Sequence, residues 1–124
     1  MSNRALLIAE GLASAWSSGD ANKIASFFTE DCFYEDVCQG HTLRGQEALK
    51  AQAEAVLALI PDLRLRITSA FGEGQWIGAE WIETGTRDGR KFSLRGASIC
   101  KLEGEKLSRE SFYAHLDGAT WLDL

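Results

Sequence analysis

The sequence is poor in the residues that build metal centres and disulfide frameworks. It has only three cysteines and two histidines, which are Cys32, Cys38, Cys100, His41 and His115. An odd number of cysteines without short paired spacing is not typical of a disulfide framework. Zinc sites use closely spaced ligand pairs, and these are absent too. The sequence therefore predicts no metal site, and we expect no cofactor.

Clustered positive charge and long apolar runs are also missing. The formal net charge is -5, and Lys and Arg form no run, whereas nucleic-acid binding needs clustered positive charge. No apolar run approaches the length that crosses a bilayer. The N-terminal residues lead into an amphipathic helix and not into a signal-peptide core. We therefore expect a cytoplasmic protein that binds neither nucleic acid nor membrane.

The overall composition is that of an ordinary globular protein with many aromatic residues. It has 124 residues, 45% of them hydrophobic and 25% charged, which is the size and composition of one domain with one core. We predict a single domain over residues 1–124. Four Trp, six Phe and two Tyr are enough either to fill a core or to line a pocket.

Helical periodicity covers residues 3–17, 21–28 and 45–60. In each segment apolar residues recur three or four positions apart and form one face, which includes Trp16 in the first segment and Phe28 in the second. Gly19 suits the end of the first helix, and Asp20 suits the N-cap of the second. Pro61 ends the third helix because proline has no amide hydrogen to donate.

A short strand ends at Asp36, and a loop is predicted over residues 37–44. After Pro61 the period changes to two, which predicts four antiparallel strands over residues 63–71, 75–84, 91–102 and 106–116. This order predicts an α+β domain whose three helices pack in the concave face of a curved, mainly antiparallel sheet. The sheet should curl into a half-open cone, with a pocket between sheet and helices.

Strand alternation predicts which side chains face this pocket. For the last strand, Leu107 is taken to set the inward face, which places Glu110 and Phe112 on the outer face. The polar and aromatic side chains predicted to face inward are then Tyr34, Asp36, Trp81, Glu83, Ser98, Tyr113 and His115.

Such a set can move protons. A carboxylate in an apolar pocket has a raised pKa, which makes it a better base near neutral pH. A neighbouring carboxylate can orient His115, and Tyr34 can donate a hydrogen bond to a developing oxyanion. Structural roles are alternatives: Asp36 can cap the following loop, and Glu83 can be a solvated charge at the rim.

The sequence resembles the SnoaL-like branch of the nuclear transport factor-like superfamily over essentially its whole length. The residues that carry this resemblance are 15–20 (AWSSGD), 27–31 (FFTED), 34–36 (YED), 43–45 (LRG), 60–63 (IPDL), 85–86 (GT) and 104–107 (GEKL). The resemblance implies the cone-shaped fold. It does not choose among the superfamily's polyketide cyclases, ketosteroid isomerases, epoxide hydrolases, dehydratases and non-enzymes.

Position by position, the resemblance implies different site residues for different relatives. The general base of ketosteroid isomerases matches Asp36, but their oxyanion-hole tyrosine falls on Leu12 and their second aspartate on or beside Ser98. In SnoaL-like cyclases the acid/base aspartate falls on His115, or on Asp117 if the register shifts by two.

Limonene-epoxide hydrolases match differently. Their tyrosine matches Tyr34, and their asparagine position holds Asp36. Their arginine falls on Trp81, and their two aspartates fall on Glu83 and His115. A Glu83–His115 couple would still be able to activate water.

We therefore predict a cofactor-free isomerase or cyclase that transfers protons on a small, mostly apolar, carbonyl-bearing substrate. Asp36 would be the base or an orienting acid, Tyr34 the hydrogen-bond donor, and His115 or Asp117 the proton shuttle. Alternatives are a non-catalytic ligand-binding or dimerisation module and, third, an epoxide hydrolase-like enzyme. The full set of predicted site residues is Asp36, His115, Tyr34, Asp117 and Glu83 for catalysis, and Trp16, Phe28, Trp81, Ser98 and Tyr113 for substrate binding.

A homodimer is expected from the resemblance and from two apolar side chains. Trp76 and Ile82 are predicted to face outward from the sheet, where they would leave apolar surface in contact with water.

Overall fold

The computed structural model describes residues 3–114 and 120–121. The predicted site residues His115 and Asp117 lie outside the described residues. Among the residues described, no helix is both long enough and apolar enough to cross a membrane.

Three helices form close to where the periodicity predicts them: α1 is Arg4–Ser18, α2 is Ala21–Ser26 and α3 is Gln46–Leu59. Gly19 ends α1 in the left-handed conformation with φ 73°, as expected of a residue without a Cβ. The Asp20 carboxylate caps α2 by accepting a hydrogen bond from the Lys23 amide at 3.0 Å. Phe28 belongs to the first strand and not to α2.

Seven strands form in the described part of the chain, and the four long strands after Pro61 confirm the predicted antiparallel series. They are β1 (Phe28–Asp36), β2 (His41–Arg44), β3 (Arg64–Glu73), β4 (Trp76–Arg87), β5 (Arg90–Glu103), β6 (Lys106–Ala114) and β7 (Thr120–Trp121). β2 lies where a loop was predicted. It pairs antiparallel with β1 after a tight turn, with Asp36 opposite His41, and four residues are too few for periodicity to reveal.

The main sheet has the order β2-β1-β6-β5-β4-β3, and β7 pairs with the start of β5. Among the described strands every pairing is antiparallel except that of β1 with β6, so the first and last long strands lie side by side. Over the same residues the sheet is open, since β2 and β3 are its edges and do not pair with each other. The α+β class and the mainly antiparallel sheet confirm the prediction.

One extra residue in β6 reverses the side chains that follow it. The pairing of β5 with β6 shifts between Leu107 and Arg109, which leaves Ser108 as a bulge. Leu107 is fully buried, but beyond the bulge Glu110 takes the inward position. Tyr113 is 46% exposed on the outer face, so the prediction that Tyr113 faces the pocket is wrong.

A second bulge in β3 has the same effect. Thr68 is unpaired between Ile67 and Ser69, so Phe71, which alternation places with Ile67, instead lies 56% exposed on the outer face. A single inserted residue moves every later side chain to the opposite face because the side-chain period of a strand is two.

The core consists of two clusters of buried side chains. One contains Ile8, Leu12, Leu49 and Leu107, and the other contains Ile60, Leu63, Trp81 and Leu94. Trp16 packs against both clusters. Side chains of both clusters also line the cavity described next.

Candidate active site

A cavity of about 750 Å³ lies between α1, α3 and the concave face of the sheet. This central cavity is large enough for a small organic molecule. Most of its lining is apolar, and side chains of both core clusters contribute to it. The polar and ionisable side chains that line it are Tyr34, Asp36, Gln39, His41, Thr42, Gln52, Glu83, Arg87, Ser98, Cys100 and Glu110.

Glu110 is held by a chain of two hydrogen bonds that crosses the floor of the cavity. The Trp81 indole Nε1–H donates to Ser98 Oγ at 2.9 Å, and Ser98 Oγ donates to Glu110 Oε2 at 2.7 Å. An indole can only donate, so the Ser98 oxygen accepts from Trp81 and its one proton is directed at the carboxyl. The chain therefore fixes Glu110 Oε2 as an acceptor.

Glu110 is poised to exchange a proton near neutral pH. Its side chain is buried, and burial raises the pKa of the carboxyl to about 7, although the Ser98 hydrogen bond opposes that rise. A carboxyl group with this pKa is half ionised at pH 7 and can act either as a base or as an acid.

Glu83 is a second carboxyl of the same kind. It lines the central cavity from β4, and burial raises its pKa to about 7. No described residue donates a hydrogen bond to it that would oppose this rise. The prediction that the Glu83 side chain faces the pocket is confirmed.

Tyr34 lies among the acids. Burial, followed by the fields of Glu110, Glu83 and Asp36, raises the pKa of its hydroxyl well above the ordinary value. The phenol therefore stays protonated and available as a donor at neutral pH. Its ring packs on that of Phe112, with 5.3 Å between centroids.

Asp36 has the structural role that was the alternative to catalysis. Its carboxylate accepts hydrogen bonds from the Gln39 amide at 3.2 Å and from Gln39 Nε2 at 3.1 Å. Its carbonyl accepts from the Gly40 amide at 2.9 Å. Asp36 therefore caps the turn between β1 and β2, and it also lines the central cavity.

The predicted binding residues divide into two groups. Trp16, Trp81 and Ser98 line the central cavity. Phe28 does not line it: it is 1% exposed and packs edge-to-face behind Tyr34, with 6.1 Å between ring centroids. The prediction of Phe28 as a residue that touches substrate is therefore wrong in its position.

Sequence reasoning missed Glu110 although a signal for it was present. Leu107 has an odd residue number, whereas the next apolar residues on the strand, Phe112 and Ala114, have even numbers. Uninterrupted alternation would therefore place Leu107 on one face of the strand and the other two on the opposite face. Both Leu107 and Ala114 are buried, so one strand has two apolar phases and must contain a bulge between them. The second phase includes Glu110.

Among the described residues, no group of three or more His, Cys, Asp and Glu side chains is arranged to hold a metal ion. Cys100 lies opposite Glu110 across the β5–β6 pair. Burial, and secondarily Glu110, raises the pKa of its thiol, so this cysteine is a neutral, unreactive part of the lining.

Three helices over the concave face of an open, mainly antiparallel sheet are the architecture expected of a SnoaL-like domain, and the comparison with protein families agrees. Residues 9–110 match the SnoaL-like domain. The chain belongs to this family. None of the curated proteins with which the sequence was compared matches it.

Several solved structures share the fold. A protein with a ketosteroid isomerase-like fold from Catenulispora acidiphila, in complex with trimethylamine, is 25% identical with a TM-score of 0.80, over 86% of this chain and 83% of that one. A provisionally named polyketide cyclase from Xanthomonas campestris is 19% identical with a TM-score of 0.78, over 93% of both chains. A limonene-epoxide hydrolase-like enzyme from Mycobacterium tuberculosis is 12% identical with a TM-score of 0.80, over 93% of this chain and 85% of that one.

Proposed function

We propose that the central cavity binds a small, mostly apolar, carbonyl-bearing molecule and transfers a proton on it without a cofactor, as an isomerase or cyclase does. One observation carries this proposal: two carboxyl groups with pKa values of about 7, Glu83 and Glu110, line the same apolar cavity. Acid/base catalysis is most effective when the pKa of the group lies near the working pH.

In the proposed reaction Glu110 is the base. The Ser98 hydrogen bond favours its ionised form and leaves the second oxygen, Oε1, for the substrate. That oxygen takes a proton from the carbon next to the carbonyl, and Tyr34 donates a hydrogen bond to the oxygen that becomes an enolate. The protonated Glu110 then returns the proton to another carbon, so the enzyme ends in its starting state.

Glu83 is proposed to act as the acid of the pair. Among the described residues no hydrogen bond opposes the effect of burial on its pKa, whereas the Ser98 hydrogen bond opposes it at Glu110. In the proposed reaction Glu83 is therefore the protonated partner, which keeps its proton and donates a hydrogen bond to the substrate. This assignment moves the base from Asp36, whose carboxylate oxygens are both bound to Gln39. His115 and Asp117 stay predictions as proton shuttles.

Solvent deuterium exchange tests the proposal. A panel of small cyclic ketones is incubated in heavy water, and exchange at the carbon next to the carbonyl is followed by NMR. The wild type should accelerate exchange of at least one ketone, and Glu110→Gln should lower that rate 100-fold or more, since positioned acid/base groups contribute about 10²–10⁴-fold. Glu80→Gln, which changes an exposed carboxylate bonded to Ser69, is the matched control. Equal rates in the two variants would refute Glu110 as the base.

The alternative is a ligand-binding module that performs no chemistry. It is favoured by the mostly apolar lining of the central cavity and by the structural role of Asp36. The Catenulispora relative holds trimethylamine, which supports small-molecule binding on this fold. Ligand binding that survives Glu110→Gln, together with no exchange on any ketone, would favour this alternative over the enzyme.

We also propose that the protein forms a homodimer through the outer face of its sheet. Four large side chains there, Phe71, Trp76, Ile99 and Tyr113, are each between 41% and 56% exposed, and we call them the convex patch. By strand register Arg66, Arg95, Lys101 and Glu80 lie on the same face. An apolar centre with a polar rim is the usual anatomy of a protein interface.

A further inference from the structure

The charges that line the central cavity are unequal. Three carboxyl groups line it, those of Asp36, Glu83 and Glu110. Among the described residues that line it, Arg87 is the one with a permanent positive charge, and it is exposed at the hairpin end of β4. The lining residues of α1 and α3 carry no charge. The interior, as described, therefore offers negative charge without an internal cation to neutralise it.

Aromatic rings lie directly beside these acids. Tyr34 and Phe112 are 5.3 Å apart between ring centroids, and Phe112 and Trp81 are 6.3 Å apart. We call these three side chains the aromatic wall. The Trp81 ring lies against Gly96, where an added Cβ would collide with three of its ring carbons, while Trp81 also lines the cavity. Its opposite face is therefore turned towards the ligand space.

We infer that the ligand of the central cavity is an organic cation, with a protonated amine or quaternary ammonium group on an apolar body. The faces of aromatic rings attract cations. The carboxylates supply a negative charge for the cationic group of the ligand, while its apolar body contacts the apolar lining. The carboxylates that line the interior would repel an anionic ligand. This inference rests on the proposed function only in assigning the cavity to a small molecule, and it requires no chemistry there.

Such a ligand links binding to protonation. The ionisable groups that face the ligand space are Asp36 and Tyr34 from β1, His41 from β2, Glu83 and Arg87 from β4, Cys100 from β5 and Glu110 from β6. Of these, Glu83 and Glu110 have pKa values of about 7. A cation stabilises their ionised forms, so its affinity should rise as the pH increases through 7, and its binding should release protons.

Three probes of equal shape and different charge test the inference by calorimetry with the full chain. Benzyltrimethylammonium is a permanent cation, neopentylbenzene is its neutral isostere, and phenylmethanesulfonate is an anion of similar size. At pH 8.5 the cation should bind at least about tenfold more tightly than the neutral isostere, and the anion most weakly. At pH 5.5 the preference for the cation should shrink about tenfold. Heats measured in two buffers should show proton release.

The variants Glu83→Gln and Glu110→Gln should each reduce the preference for the cation at pH 8.5 several-fold and flatten its pH dependence. Glu80→Gln, on the outer face, should leave both unchanged. The inference is overturned if the neutral isostere or the anion binds as tightly as the cation at pH 8.5, if the cation does not bind, or if both cavity variants keep the full preference. These readouts concern binding alone, so loss of the proposed proton transfer leaves them intact, and the two proposals can fail separately.

Discussion

Ser98 shows how much one small side chain can determine. Its hydroxyl accepts from the Trp81 indole and donates to Glu110, so it links the orientation of an aromatic ring to the protonation of an acid. Ser98 is 4% exposed, and water has little access to replace it. The sequence predicted that Ser98 faces the pocket, but it did not predict this link because the partner, Glu110, was assigned to the other face.

Ser98→Ala should therefore change both stability and proton affinity. The Trp81 N–H and one Glu110 oxygen lose their partner, which costs about 1–3 kcal/mol of unfolding free energy when such groups stay buried. The pKa of Glu110 should rise above 7, since the hydrogen bond that opposes burial is gone. Urea unfolding measures the first effect, and the pH dependence of proton transfer or cation binding measures the second.

The matched control for Ser98→Ala is Ser69→Ala. Ser69 also donates a 2.7 Å hydrogen bond to a glutamate, Glu80, but the pair is exposed. Water replaces that bond, so the cost should be about 0.5 kcal/mol or less. Equal costs in the two variants would mean that the buried chain contributes no more than a surface contact.

The two buried acids should make the protein less stable as the pH rises. Their folded-state pKa values of about 7 lie above the ordinary value of 4.5. Below pH 4.5 both are protonated in the folded and the unfolded chain, and the full stability is present. Between pH 4.5 and 7 the unfolded chain loses protons that the folded chain keeps, so each group lowers the stability by up to roughly 3 kcal/mol.

Glu83→Gln and Glu110→Gln should each remove part of this decline. Relative to the wild type, each variant should become more stable as the pH rises from 5 to 8, in urea unfolding at several pH values. Glu80→Gln should follow the wild-type curve. A wild-type stability that rises over this interval, or variants that run parallel to it, would show that these carboxyls are not buried as described.

At the scale of the element, the inward face of a strand was predicted correctly where its pairing is regular and wrongly where it contains a bulge. β4 and β5 pair with each other without interruption, and the predicted inward faces of both, with Trp81, Glu83 and Ser98, are confirmed. β3 and β6 each contain a one-residue bulge, and alternation fails beyond Thr68 and Ser108. A bulge is fixed by pairing with the neighbouring strand, so simple alternation does not reveal it, and a strand's own sequence signals it only where two apolar phases meet, as in β6.

The close approach of β4 and β5 depends on a residue without a side chain. Gly96 lies opposite Trp81, and a Cβ at position 96 would meet the indole ring. Gly96→Ala should displace the ring, break its hydrogen bond to Ser98 and lower the unfolding free energy by about 1–3 kcal/mol. In the background of Trp81→Phe, whose smaller ring does not reach as far, the same substitution should cost much less.

A double-mutant cycle in urea measures this coupling. The two substitutions should be non-additive by about 1 kcal/mol or more, as expected of residues in direct contact. Additive costs would mean that Gly96 is required for the strand's backbone and not for the ring that it accommodates.

At the scale of the whole molecule, one sheet has two different faces. Its concave face holds the helices and the central cavity, and this arrangement was predicted from three helices followed by a change of period. Its convex face was predicted only in part, because outward Trp76 was recognised from alternation while Phe71 and Tyr113 reach that face only through the two bulges. The bulge in β6 that hid Glu110 from prediction also hid Tyr113, and the bulge in β3 hid Phe71, so two of the four side chains of the convex patch were missed.

The continuity of the convex patch leads to the last prediction, that the wild type is a dimer at micromolar concentration in sedimentation. Phe71 lies over Gly78 beside Ile99, so the patch is continuous across β3, β4 and β5. Ile99→Glu puts a charge at its centre and should raise the dissociation constant at least tenfold, or about 1.4 kcal/mol. Leu7→Glu is the control, since Leu7 is more exposed, at 69%, but lies on α1. A monomeric wild type, or a Leu7→Glu variant that dissociates as readily as Ile99→Glu, would contradict an interface on this face.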